Sequence, residues 1–161
     1  MLICEIRFFV PTIKELQKRN DIFLMCLSNG NYEGLGKIRE KELINACKVL
    51  GFKEPPVCLD VPELQDGPGN DWSEEKILEL VKVYLESNPM DIIVTFDEYG
   101  ISYHPNHIKI PKAMAKLFDS EEHVVDLMCL KTVPLYRKYI SLVDIQLAEH
   151  GCDHYFNFNA F

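Results

Sequence analysis

Residues 91–107 read DIIVTFDEYGISYHPNH, and this stretch decides the fold. Its first six residues, 91–96, are rich in β-branched side chains and lie between a proline and a glycine, which predicts a buried strand. Asp97 follows at the carboxyl end of that strand. A glycine-containing loop then presents His104 and His107, three residues apart. The stretch therefore indicates a strand that delivers polar side chains to one edge of a sheet.

Apolar runs alternate with amphipathic stretches on both sides of this segment. Further strands are predicted at 22–27, 57–59 and 124–130, and helices at 37–50, 73–87 and 110–118, with Pro111 in the first turn of the last helix. This alternation predicts an α/β, Rossmann-like fold with a mostly parallel sheet and helices on both faces. Ligands bind such sheets beyond the carboxyl ends of the strands, so the loops after Leu27 and Phe96 should share one edge.

The composition is that of an ordinary globular protein. Of the 161 residues, 47% are hydrophobic and 26% are charged, and we expect one domain over residues 1–161. The net charge of −8 argues against non-specific nucleic-acid binding, which needs a basic face. No segment reaches the roughly 18 apolar residues that a membrane span requires. The six cysteines form no C-x-x-C pair and lie mostly in apolar runs, which predicts free thiols.

The two histidines of the H-x-x-H motif could serve one site. One imidazole could bind a metal while the other acts as an acid or a hydrogen-bond donor. Asp97 could orient an imidazole by accepting its second ring N–H. The alternative is that both histidines line a surface turn beside Pro105, and the bare motif does not separate these readings.

A second polar segment follows the predicted strand that ends at Leu27. Residues 28–36 are a glycine-rich loop, and Arg39 lies in the first turn of the helix after it. A guanidinium at that edge of the sheet can bind phosphate or sugar hydroxyls. Taken alone, such an arginine is more often a solvated helix charge.

Together these segments resemble the LmbE-like zinc deacetylases, and within them the branch that acts on N-acetylglucosaminyl-phosphatidylinositol. The resemblance runs from about Phe8 to about Leu147. Its motifs are Phe8–Ile13, Ser28–Tyr32, Arg39–Leu43, Val94–Asp97, His104–His107 and Leu135–Leu142. Ordered motifs at near-family spacing are more specific than any one of them.

The resemblance implies a site with divided roles. His107 would ligate zinc, and His104 would stabilise or protonate the developing tetrahedral intermediate. Asp97 would support the histidines, while Arg39 and Asn29 would bind the substrate. The implied reaction is hydrolytic de-N-acetylation of a membrane-associated glycolipid during glycosylphosphatidylinositol anchor biosynthesis. The implied location is the cytosolic face of the endoplasmic reticulum, and no nucleic acid is involved.

The chain departs from the family pattern at residues 1–5. The family's first strand ends in His-Pro-Asp-Asp-Glu, which supplies two zinc ligands and the general base, whereas this chain has MLICE at those positions. Cys4 as a thiolate ligand is disfavoured, because the histidine and the base would still be missing. We therefore expect a truncated first strand, a domain truncated at the N-terminus with the C-terminus left open, and no membrane anchor in this chain. We also expect weak or absent zinc binding and no turnover.

Two other functions are alternatives to this one. A catalytically inactive family member could bind a partner or the glycolipid. A nucleotide-binding α/β module is disfavoured, because no G-x-G-x-x-G or P-loop follows a predicted strand.

Overall fold

Five short strands form one parallel sheet in the computed structural model, which describes residues 2–3, 6–119 and 125–133. The strands are β1 (Leu2–Ile3), β2 (Leu24–Cys26), β3 (Val57–Cys58), β4 (Ile92–Phe96) and β5 (Asp126–Leu130). Their order across the sheet is β3-β2-β1-β4-β5, and each neighbouring pair is parallel. The predicted α/β class with a parallel sheet is confirmed.

The strand order reverses beside β1. From β1 the chain moves outward to β2 and β3, and it then crosses back to β4 and β5. Right-handed crossovers place the helices of the first half on one face and those of the second half on the other. The helix contacts agree with this arrangement. On the first face α1 (Ile6–Leu16) contacts α2 (Gly36–Leu50), and on the second α3 (Glu74–Ser87) contacts α5 (Pro105–Asp119).

Helix ends follow local sequence signals. The hydroxyl of Ser73 accepts a hydrogen bond from the N–H of Lys76 and so caps α3, as predicted. Gly51 ends α2 at φ +84°, where its N–H bonds to the carbonyls of Cys47 and Lys48. Two 3-10 turns, Asn31–Glu33 and Pro62–Leu64, and the single turn α4 (Gly100–Tyr103) complete the described helical elements.

Two helices differ from the prediction. α5 begins at Pro105 rather than at residue 110, so His107 lies in its first turn and Pro111 lies in its interior. Pro105 suits the first turn because its missing N–H is not needed there. Pro111 has no N–H to donate to the carbonyl of His107, four residues earlier. α1 was not predicted, because Pro11 inside it obscures the helical pattern.

The core joins both faces of the sheet. Phe9 of α1 meets Phe96 of β4 edge to face, with 5.2 Å between ring centroids. Ile77, Met114 and Leu117 from α3 and α5 are also fully buried. The carboxyl edge of β4 is therefore supported by a closely packed core on both faces of the sheet.

Ile93→Ala should lower the free energy of unfolding by about 2–5 kcal/mol, because it removes a fully buried side chain and leaves a cavity in the sheet. Val83→Ala, at a position 58% exposed on α3, should change it by less than about 0.5 kcal/mol. Urea denaturation of both variants measures the difference. Equal losses would contradict the placement of β4 at the centre of the core.

Candidate active site

A cavity of about 1150 Å³ opens at the carboxyl edge of the sheet. Three segments contribute to its wall: the loop after β2, residues 66–72, and the segment after β4. Asn29 and His104 both line it. The loops after Leu27 and Phe96 therefore share one edge of the sheet, as predicted.

His107 is buried in the first turn of α5 and lines the cavity. Its ring stacks on Phe96 at 4.3 Å between centroids and meets Phe8 edge to face at 5.8 Å. Its Nδ1 lies 3.1 Å from the carbonyl oxygen of Gly100. A carbonyl only accepts hydrogen bonds, so Nδ1 carries the proton, and in the neutral ring Nε2 keeps its lone pair. Metal-binding histidines are commonly held in this way.

Gly100 makes the close approach of His107 possible. Its φ is +60°, a conformation that side chains with a Cβ rarely adopt. A Cβ at position 100 would lie 2.7 Å from the Cβ of His107. Any larger residue there would displace the imidazole.

His104 lies between α4 and α5 and is exposed at the cavity wall. Its ring centroid is 4.9 Å from that of His107. The structure thus brings the two imidazoles together, one buried and one exposed. A buried ring with one nitrogen held by a carbonyl suits a ligand, while an exposed ring suits proton exchange with a substrate. The individual roles stay predictions.

Asp97 supports the loop that carries the histidines. Its Oδ1 accepts hydrogen bonds from the Thr132 hydroxyl at 2.6 Å and from the N–H of Tyr99 at 3.2 Å. Its Oδ2 accepts the N–H of Thr132. The Thr132 hydroxyl also accepts the N–H of Ile101 at 2.9 Å. Nδ1 of His107 is held by the Gly100 carbonyl, and the role of Asp97 in orienting an imidazole stays a prediction.

The loop between β4 and α5 is strained. Ile101 has φ +64° and ψ −42°, and Tyr103 has φ +58°. Both conformations are costly for residues with a Cβ, and more so for β-branched isoleucine. The hydrogen bond from Ile101 to Thr132 holds the first of these residues in place.

Asn29 lies in the loop after β2 and is 4% exposed. Its Nδ2 donates to Oε1 of Glu40 at 2.9 Å. This hydrogen bond, with a second from Lys37, lowers the pKa of Glu40 from its ordinary value. Because an ionised carboxylate only accepts, the amide orientation of Asn29 is fixed. Among the described residues its Oδ1 is buried with no hydrogen-bond partner, which leaves one acceptor for a donor from a ligand or water.

Arg39 lines the cavity from the first turn of α2. Its Nη2 forms an ion pair with Oε2 of Glu33 at 3.0 Å. The side chain crosses Gly30, where a Cβ would lie 2.7 Å from Nη1 of Arg39. Glycine at position 30, with φ +70°, therefore lets the guanidinium lie against the backbone of the loop.

Asp66 and Asn106 are site residues that the sequence analysis missed. The buried amide of Asn106 donates to Oδ1 of Asp66 at 3.3 Å and so ties α5 to the loop before α3. Trp72 anchors the same loop by donating its indole N–H to the carbonyl of Gln65 at 3.0 Å. A weak signal existed, since Asn106 lies inside the H-x-x-H motif and Asp66 directly precedes a Gly-Pro-Gly turn.

Comparison with known proteins gives one consistent result. The family model described as PIG-L: GlcNAc-PI de-N-acetylase matches residues 5–118. The chain belongs to this family.

Three relatives show how much of the family protein this chain spans. The probable N-acetylglucosaminyl-phosphatidylinositol de-N-acetylase of Dictyostelium discoideum is 33% identical, over 90% of this chain and 67% of its own length. The de-N-acetylase of Bos taurus and the probable one of Schizosaccharomyces pombe are each 36% identical, over 88% and 87% of this chain and 57% of their own lengths. One motif of the family resemblance, Leu135–Leu142, lies outside the described residues.

The described side chains do not offer a complete zinc site. Within residues 2–3, 6–119 and 125–133, no three His, Cys, Asp or Glu side chains are grouped to hold a metal. Burial raises the pKa of Cys58, a cavity residue, to about 11, which disfavours a thiolate. Cys26, Cys47, Cys58 and Cys129 form no disulfide within the part of the chain that the structure describes, and Cys4 and Cys152 lie outside that part.

None of the helices in the described part of the chain is both long enough and apolar enough to cross a bilayer.

Thr132→Val should lower the free energy of unfolding by about 1–3 kcal/mol, because it leaves the N–H of Ile101 without an acceptor and removes one of the two hydrogen bonds to Oδ1 of Asp97. Thr132→Ser keeps the hydroxyl and is the matched control, with a loss of less than about 1 kcal/mol. Chemical denaturation gives both values. A serine variant as unstable as the valine variant would show that the methyl group, not the hydroxyl, matters.

Tyr103→Gly should raise the free energy of unfolding by about 1 kcal/mol, because glycine adopts φ +58° without the steric cost that tyrosine has there. Tyr99→Gly, at the neighbouring exposed tyrosine with negative φ, should lower it instead. Thermal denaturation ranks the two variants. A destabilised Tyr103→Gly protein would contradict the strained conformation.

Proposed function

We propose that this family member takes part in hydrolytic de-N-acetylation of N-acetylglucosaminyl-phosphatidylinositol, a step of glycosylphosphatidylinositol anchor biosynthesis. The proposed location is the cytosolic face of the endoplasmic reticulum. The observation that supports it is the convergence of His104, His107, Asn29 and Arg39 on one cavity. The relatives carry this activity in their names.

The cavity is large enough for a sugar head group. Its volume of about 1150 Å³ lies just above the usual range for small-ligand sites. We assign substrate binding to Arg39, whose guanidinium can pair with phosphate or sugar hydroxyls. The orphan Oδ1 of Asn29 would accept a hydroxyl or amide N–H from the ligand.

His104 is assigned the proton-transfer role. Hydrolysis adds the oxygen of water to the acetyl carbon, breaks the C–N bond and releases acetate and the free amine. The departing nitrogen needs a proton, and the exposed imidazole of His104 can donate it. The same N–H could stabilise the tetrahedral oxyanion before the bond breaks. Asp97 acts through Thr132 to hold the loop that positions this ring.

His107 is assigned the role of zinc ligand. A catalytic zinc has three protein ligands and one open position. His107 would be one of these ligands, and the contact of its Nδ1 with the Gly100 carbonyl supports this proposal. The described residues do not fit a complete zinc site, because no three His, Cys, Asp or Glu side chains among them are grouped to hold a metal.

Glycolipid binding without hydrolysis is the second candidate function. Residues 1–4 are Met, Leu, Ile and Cys, where the family motif has His-Pro-Asp-Asp. Under this candidate, the same cavity holds the head group and no acetate is released.

The decisive experiment replaces residues 1–4 by His-Pro-Asp-Asp, preceded by an apolar strand. β1 pairs with both β2 and β4, so its carboxyl end adjoins the cavity edge. The new side chains should supply two ligands and the base, so zinc binding and acetate release should appear. The chain as given should show weak zinc binding and no measurable turnover with the glycolipid.

Single substitutions in the restored protein separate the roles. His107→Ala should remove zinc, whereas His104→Ala should keep zinc and lower kcat by roughly 10²–10⁴-fold. Lys112→Ala, on the exposed face of α5, is the control and should change neither. The reverse pattern for the two histidines would exchange their roles. A zinc-loaded restored protein that releases no acetate would favour the binding function.

A further inference from the structure

Two cysteines lie side by side in the sheet, and neither has a role in the proposed hydrolysis. Cys26 is the last residue of β2 and Cys58 is the last residue of β3, and the two are direct partners in the parallel register. Partners in a parallel ladder project to the same face of the sheet. The N–H of Leu59 donates to the carbonyl of Cys26 at 2.9 Å, so the pairing continues to the strand ends. The two thiols are therefore neighbours.

Both cysteines are accessible from the cavity, because both line it. Sγ of Cys58 lies 3.8 Å from the carbonyl oxygen of Ser28, which is in the loop after β2. This sulfur therefore points toward the carboxyl edge of the sheet, where the cavity opens. Cys26 is 8% exposed and Cys58 is partly exposed. An ion that enters the cavity can approach both sulfurs while the sheet stays intact.

The spacing of the strands favours a bridging ion over a disulfide. Neighbouring strands lie about 4.8 Å apart, whereas the Cβ atoms of a disulfide lie about 3.8 Å apart. A disulfide would therefore draw the ends of β2 and β3 together by about 1 Å. An ion between the two sulfurs lengthens the link by one atom and does not require this movement.

The number of donor atoms determines which ion fits. Structural zinc sites have four ligands in a tetrahedron. Within residues 2–3, 6–119 and 125–133, no third His, Cys, Asp or Glu joins these two thiols to form a metal-binding group. Monovalent copper is a soft ion that favours sulfur, and two thiolates in a line satisfy its coordination. A pair of thiols therefore suits monovalent copper better than zinc.

The charges around Cys58 also favour a cation. Burial raises the pKa of this thiol to about 11, and the carboxylates of Glu40, Asp60 and Asp66 raise it further. The ammonium group of Lys37 acts in the opposite direction. Negative charge that retains a proton on the sulfur also attracts a cation. A soft cation can displace this proton because it bonds strongly to sulfur, whereas a hard cation prefers oxygen ligands.

We propose that Cys26 and Cys58 form a two-thiol site for a monovalent copper ion in the wall of the cavity. Binding replaces two S–H bonds by two Cu–S bonds and releases two protons to solvent, and no electron is transferred. The inference does not rest on the proposed hydrolysis, because the zinc ligand proposed there is His107 on α5.

The test is an anaerobic titration of the full chain, as given, with monovalent copper in competition with the chelator bicinchoninate. Cys26→Ala and Cys58→Ala should each bind one copper equivalent fewer than the parent, because one thiol is too few to compete with the chelator. Cys129→Ala, on β5, is the matched control and should bind as much copper as the parent. Circular dichroism checks that each variant is folded.

A second variant leaves both thiols of the pair in place. It combines Cys4→Ala, Cys47→Ala, Cys129→Ala and Cys152→Ala, so that Cys26 and Cys58 are the remaining cysteines. This pair-only variant should bind one copper equivalent, and X-ray absorption at the copper edge should show two sulfur neighbours. Divalent zinc added in the same titration should not displace the copper, because zinc would lack two of its four ligands.

The outcomes separate this inference from the proposed enzyme. Equal copper uptake by the parent and both single variants overturns the inference, as does a pair-only variant that binds no copper. Copper bound by nitrogen or oxygen in the pair-only variant overturns it too, and so does displacement of the copper by zinc. No acetate release is measured in these experiments, so the proposed hydrolysis can fail while the copper site stands, and the reverse also holds.

Discussion

β1 pairs in parallel with both β2 and β4, and this pairing determines where every candidate site residue lies. Parallel strands point the same way, so their carboxyl ends lie along one edge of the sheet. The chain reverses its direction of travel beside β1, and the loops after β2 and β4 therefore diverge from one another. The space between them is the cavity that Asn29 and His104 line. A sheet with the same strands in another order would separate these loops.

The histidine-bearing loop depends on a strand that contributes no candidate site residue. β5 pairs with β4 over five residues in register, and this pairing brings Thr132 beside Asp97. The Thr132 hydroxyl then accepts the N–H of Ile101 and holds that residue in a strained conformation next to Gly100, whose carbonyl fixes the ring of His107. The free-energy cost of the strained residues is offset by hydrogen bonds that a relaxed loop would lose. The strain at Ile101 and the orientation of the His107 ring thus depend on the same loop and its hydrogen bonds.

Two polar side chains of the cavity wall are each paired with a glutamate. Asn29 donates to Glu40 and Arg39 pairs with Glu33, and the hydrogen bonds from Asn29 and Lys37 lower the pKa of Glu40. Local charge, not the net charge of −8, therefore sets what the cavity attracts.

The sequence by itself determined the elements and the chemistry available to the site. Periodicity and capping are local properties, so the strand that ends at Phe96, the cap at Ser73 and the glycine end of α2 could be predicted. The helix α1 and the start of α5 could not be predicted, because each helix contains an internal proline, which in a sequence indicates a helix end. In the fold, packing stabilises the other residues of each helix enough to tolerate the missing N–H.

Only the tertiary structure decided which polar groups meet. The hydrogen bond from Asn106 to Asp66 joins residues 40 apart, and the one from Thr132 to Asp97 joins residues 35 apart. Such partners are set by strand register and helix packing, which no local pattern encodes. The sequence therefore named His104, His107, Arg39 and Asn29 as candidates, while the fold gave Nδ1 of His107 a backbone carbonyl and Asp97 a threonine as partners.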